Sequence, residues 1–154
     1  MFCYQCQEAA KNTGCTIKGV CGKSEETANL QDLLIFALKG LSVYGEKANE
    51  LGVPTGDNGL FLAKAIFSTI TNANFDNDRL TALIQEALKR KESLKDSFLA
   101  AYKEKNGQDY TAPLPDSATW YTDDVADFQE KAKTVGVLAT ENEDVRSLRE
   151  LLIL

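Results

Sequence analysis

Cys3, Cys6, Cys15 and Cys21 are all the cysteines of this 154-residue chain, which has no histidine. Four thiols gathered into one glycine-punctuated segment, MFCYQCQEAAKNTGCTIKGVCGK, read as a ligand set, because cysteines used as small core residues would be scattered among helices. Three chemistries use such a set: two disulfides, a tetrathiolate zinc site, or an iron-sulfur cluster. Disulfides need an oxidising compartment and the signal that leads to it. The start Met-Phe-Cys-Tyr-Gln-Cys has neither a basic lead nor an apolar stretch, and no apolar run approaches the ~18 residues of a membrane span. The expectation is a cytoplasmic chain outside the membrane, with its thiols kept reduced.

Zinc and iron-sulfur sites both begin with a C-x2-C hook, and the second pair of ligands separates them. Structural zinc sites usually repeat the short hook. Here the pattern is C-x2-C-x8-C-x5-C, so the third and fourth ligands come from open loops that could wrap something larger than one ion. A 4Fe-4S cube takes one thiolate on each iron. Gly14, Gly19 and Gly22 flank the later ligands. They serve either as turn punctuation or where backbone passes close to sulfide and its amides tune the potential. The pattern matches neither ferredoxin run, so the spacing favours a cluster and leaves a zinc-stabilised helical binding module, without redox function, as the alternative. Lys18 and Lys23 read first as surface lysines, with stabilisation of a reduced cluster as the second reading.

The elements that must carry this loop are helical. From Leu30 the apolar positions run Leu33, Leu34, Ala37, Leu38, Leu41, Tyr44, Ala48 and Leu51, the stripe of a helix over about 25–50. Gly52 and Pro54 stop it. A second helix is predicted over 59–71 with Leu60, Ala63, Ile66, Phe67 and Ile70 buried. A third starts near Asn77 and carries Leu80, Leu83, Ile84, Ala87, Leu88, Leu94, Phe98 and Tyr102, with Lys89, Arg90, Lys91 and Lys95 as its solvated face. The predicted fold is all-α: a cysteine loop over 1–24, a three-helix bundle over 25–105, a loop and short helix over 106–140, and one further helix over 141–154. Within 106–122, Tyr110, Trp120 and Tyr121 are expected to lid the bundle. The short helix is placed at about 124–134, before the apolar connection Val135 to Leu138.

The last helix echoes the first. Leu30 to Phe36 (LQDLLIF) is matched by Leu148 to Leu154 (LRELLIL), and Glu25-Glu26 by Glu143-Asp144 at the same offset. Duplication of a bundle explains this. Thr140 and Glu143 form a candidate capping box. The chain stops on four apolar residues without a C-cap, so the expectation is a second bundle cut within its first helix, whose apolar end docks or self-associates. The net charge of −6 argues against nucleic-acid binding, which needs clustered Lys and Arg; its plainest effect is solubility, with the choice of a basic redox partner as the second reading.

The segment MFCYQCQEAAKNTGCTIKGVCGKSEETANLQDLLIFALKG closely resembles the amino terminus of the hybrid cluster protein family, also called prismane proteins and classed as hydroxylamine reductases. The cysteine spacing, Gly22-Lys23 and Glu26 to Gln31 carry the likeness, and KNGQDY, LPDSATW and GVLATENEDVRSLRELLIL extend it over essentially the whole chain. The resemblance implies that Cys3, Cys6, Cys15 and Cys21 bind one 4Fe-4S cluster, since the family's 2Fe-2S type has the wider spacing C-x2-C-x11-C-x6-C. It also implies two three-helix bundles in the intact first domain. The family's hybrid iron-sulfur-oxygen cluster, where hydroxylamine or nitric oxide is reduced, uses histidine, glutamates and further cysteines of later domains, and no such set exists here. The expectation is therefore an electron-transfer part that is not catalytic by itself, fed by a redox donor protein and joined to the remaining domains of an oxidoreductase.

Overall fold

A computed structural model describes residues 1–6 and 14–153. Residues 7–13 of the cysteine loop, and Leu154 of the repeat, lie outside the described residues. Among the described residues six helices follow in order: α1 (Glu25–Glu50), α2 (Asn58–Ile70), α3 (Asn77–Asn106), α4 (Asp116–Thr119), α5 (Ala126–Val135) and α6 (Glu143–Ile153), with a 3-10 turn at Val137–Ala139. The fold is all-α. Among the described residues the only β pairing is one antiparallel bridge, Cys3 with Cys15.

α1 is the axis of the molecule. Ser24 caps it by accepting the Thr27 N–H at 3.1 Å, and Glu25, Glu26 and Lys47 sit at the ends the helix dipole favours. Every residue of its predicted stripe from Leu30 to Ala48 is buried. α3, capped by Asp76 and ended by Gly107 in the left-handed region, lies along it. One core cluster joins Leu33, Leu34, Leu38, Leu80, Ile84 and Leu88 to Phe128 of α5, and a second joins Leu41, Tyr44, Leu94 and Phe98 to Ala118 of α4. The segment after α3 thus supplies walls of the same core. Its aromatics lid the bundle as expected for Tyr110 and Trp120: Tyr110 packs edge-on against Phe98 at 5.1 Å, and Trp120 against Phe36 at 5.9 Å. Tyr121 stays exposed.

Three sequence expectations fail here for physical reasons. α2 turns Phe61, Leu62, Ala65 and Thr69 inward and leaves Leu60, Ala63, Ile66, Phe67 and Ile70 exposed. Its sequence is apolar nearly all round, so periodicity did not choose the face. On α3 the solvated basic face is incomplete, because Lys91 is fully buried between Ala87, Leu94 and Phe98 in the stripe. Its Nζ donates to the Trp120 carbonyl at the end of α4 and sits 3.4 Å from Glu92; burial pushes its pKa down against the pull of Glu92. Arg90 is half-covered, its guanidinium held by Asp57 and Glu86 at 2.6 Å each. Finally, α6 is capped by Asn142, whose side chain accepts the Val145 N–H at 3.0 Å, while Thr140 accepts from Arg149. The capping box does not form, because Arg149 takes the Thr140 hydroxyl to tie α6 to the end of α5.

Candidate metal centre

The described part of the cysteine loop is tied to itself by a small set of backbone bonds. Phe2 N–H donates to the Cys15 carbonyl at 2.8 Å and Cys15 N–H to the Cys3 carbonyl at 2.7 Å, so the first and third cysteines are paired directly. This pairing was not legible in the spacing. Gly14 takes φ +73° beside Cys15, and a Cβ there would sit 2.1 Å from Met1 Sδ. A second tight turn carries Cys21: Gly22 N–H donates to Gly19 and Gly19 N–H to Lys23, both at 2.9 Å. A Cβ on Gly19 would lie 2.7 Å from the Lys23 carbonyl, so this glycine is required by close packing and not by an unusual φ. All four thiols are free; Cys15 is buried, Cys3 half-buried, and Cys6 and Cys21 exposed.

Polar groups converge on Cys21. The Lys23 backbone amide holds the Cys21 thiol below its ordinary range against partial desolvation, with the Asn72 side-chain amide and the Lys23 charge acting in the same direction. Asn72 comes from the end of α2 and stands at φ 48°, the left-handed position after a helix that asparagine tolerates. Lys23 corrects a sequence reading. It is 1% exposed, not a surface lysine, and its Nζ donates to Gln5 Oε1 at 2.7 Å while lying 5.6 Å from the Phe75 ring centre. Lys18 is exposed. Gln5, Asn72 and the burial of Lys23 all depend on tertiary contacts, so spacing along the chain held no signal for them.

Behind the first hook lies a cavity of 260 Å³ reaching from Cys3 and Cys6 to Gln31, Asp32 and Asn72. Gln31 Oε1 and Asn72 Oδ1 are buried there without a hydrogen-bond partner among the described residues. The Asp32 carboxyl is pushed up to about 6, chiefly by desolvation, against the charges of Lys23, Arg149 and Lys39. Among the described residues no three cysteine, aspartate or glutamate side chains converge as the ligands of a single metal ion do. The donor set itself suits an iron-sulfur group: four free thiols, one of them favoured as thiolate by the Lys23 backbone amide, the Asn72 amide and the charge of the buried Lys23. No helix among the described residues is long and apolar enough to cross a membrane.

Comparison with known proteins finds similarity over the whole chain. A family model described as Prismane/CO dehydrogenase family matches residues 1–154. The chain is 64% identical over 154 residues to a hydroxylamine reductase of Nitratidesulfovibrio vulgaris, covering all of this chain and 28% of that protein. It is 57% identical over 152 residues to the hydroxylamine reductase of Halothermothrix orenii, covering 99% of this chain and 27% of the relative. A hydroxylamine reductase of Clostridium botulinum (strain Loch Maree) is 49% identical over 170 residues, with 99% and 30% covered. The chain thus spans less than a third of the length of these relatives.

Proposed function

The chain belongs to the Prismane/CO dehydrogenase family, and on that premise we propose that Cys3, Cys6, Cys15 and Cys21 bind one 4Fe-4S cluster in an electron-transfer domain of a longer oxidoreductase of the hydroxylamine reductase type. The observation that carries the reading is the donor set: every cysteine of the chain is a free thiol of the amino-terminal loop, and the last of them is served by N–H donors and a buried ammonium. When bound, such a cluster supplies one-electron exchange. The Cys3–Cys15 bridge sets the first and third ligands side by side, and the Gly19–Lys23 turn presents the fourth. No residue of this chain is assigned as acid, base or nucleophile. Reduction of hydroxylamine, the activity the relatives' names state, is placed in the remaining domains, and the electron source is a redox donor protein of the cytoplasm. The exposed Val145, Leu148 and Leu151 of α6 are the face through which those domains, or a second copy of this chain, would be met.

A tetrathiolate zinc module is the competing reading, and the open spacing of the third and fourth cysteines counts against it. Serine substitution of each cysteine in turn tests the proposal. Each variant prepared without oxygen is expected to lose most of the iron and the visible absorption, while helical circular dichroism stays close to the parent's, because the core clusters contain no cysteine. Retention of full iron by the Cys15→Ser or Cys21→Ser chain would overturn the assignment of the ligands.

A further inference from the structure

Lys23 presents a problem that the cluster-binding reading resolves. A buried ammonium is costly unless an anion accompanies it. Among the described residues Lys23 has no carboxylate within ion-pair distance: its partners are the neutral amide oxygen of Gln5 at 2.7 Å and the face of Phe75 at 5.6 Å. Asp32 is near enough to feel its charge but forms no ion pair with it. The side chain is nonetheless 1% exposed, more deeply covered than Cys15 in the same loop. What it does adjoin is the ligand set. Its own backbone follows Cys21 by two residues and closes the turn that presents that cysteine, and its ammonium is fastened to Gln5, the residue directly before Cys6.

The geometry points to Lys23 as the positioning residue that holds the two halves of the ligand set together and places a fixed positive charge against the cluster, favouring its reduced state. This rests on the cluster-binding reading above. Reduction adds one electron to a group already carrying four thiolates, so the negative charge to be balanced grows by one in the reduced form. A neighbouring cation that is itself covered from water lowers the energy of that form more than of the oxidised one. The lysine is thereby the counter-charge of the centre, and the cluster is the anion that its burial lacks among the described residues. The bond to Gln5 keeps the ammonium at the hook instead of letting it extend to solvent, as lysines ordinarily do.

The test is a spectroscopic redox titration of the cluster-loaded chain, prepared without oxygen, for the parent, Lys23→Met, Lys23→Gln, Lys23→Arg and Gln5→Glu, each with iron and sulfide counted. Both neutral variants are expected to titrate at a lower potential by about 59 mV, the one-electron equivalent of a tenfold shift against reduction. Lys23→Arg should stay near the parent. Gln5→Glu leaves the lysine in place and neutralises it with a carboxylate, so it should shift downward as well, and it carries the comparison if the neutral lysine variants lose their cluster. Potentials equal to the parent's in Gln5→Glu and in whichever neutral variant keeps its iron would overturn the role and leave Lys23 a packing residue. A parent chain that takes up no iron and sulfide would instead overturn the cluster-binding reading, and this inference with it.

Discussion

Asp32 shows how strongly the environment behind the first hook acts on a single group. Desolvation pushes its carboxyl up to about 6, while Lys23, Arg149 and Lys39 hold it from rising further. Because the folded-state pKa lies above that of the unfolded chain, the folded protein binds the extra proton between about pH 4 and 6. Stability contributed at this site is therefore greatest below that window and falls as pH rises through it. Asp32→Asn removes the penalty of the buried charge. Its unfolding free energy is expected to match the parent's near pH 4 and to exceed it by up to about 3 kcal/mol at pH 7, as read by urea denaturation at both values. An advantage independent of pH would show that Asp32 is not the titrating group. At this scale the sequence was informative only where chemistry is intrinsic to the residue type. Four cysteines with no histidine suggest a ligand set by identity and spacing alone, which is the reading proposed for them. Lys23, Gln5 and Asn72 do not, because a lysine two positions after a cysteine, an amide within the hook and an asparagine after a helix are ordinary until the chain folds and brings them to one place.

Among the elements, α1 was readable to its ends because its stripe, its acidic first turn and the glycine that follows it all agree. The inward face of α2 was not, since Leu60, Phe61, Leu62, Ala63, Ala65, Ile66 and Phe67 offer the core almost any orientation. Lys91 was misread for the opposite reason. Its charge outweighed its position in the stripe, although Ala87, Lys91, Leu94 and Phe98 have helical spacing. Contact between α1 and α4 depends on Gly40. A Cβ built on it would lie 2.0 Å from the Ser117 carbonyl oxygen and 2.8 Å from its carbon. Both are backbone atoms that cannot rotate away. Alanine at this position improves helix propensity by about 1 kcal/mol but forces α4 off the bundle. Gly40→Ala is expected to lose on the order of 2 kcal/mol of stability and to expose Trp120, which red-shifts its fluorescence. A gain in stability with unchanged emission would contradict the packing described.

For the molecule as a whole, the core and the exposed apolar surface predict opposite responses to substitution. Leu33 is fully buried at the centre of the larger core cluster, so Leu33→Ala is expected to cost about 2–5 kcal/mol. Phe67 on the outer face of α2 is 64% exposed, and Phe67→Ser should change stability by no more than about 0.5 kcal/mol. Equal losses in the two variants, measured by denaturant unfolding, would mean that α2 packs by the face the periodicity first suggested. On the proposed reading the helical body and the loop have separable tasks: α1 and α3 supply the scaffold, and Cys3, Cys6, Cys15 and Cys21 would supply the donors. Whether those donors carry a redox cluster is decided by iron and acid-labile sulfide per chain in protein prepared without oxygen, with absorption recorded before and after dithionite. The account predicts about four of each per chain and a broad band near roughly 400 nm that bleaches on reduction. Zinc at about one per chain, with no visible colour, would contradict it and make the loop a structural metal site.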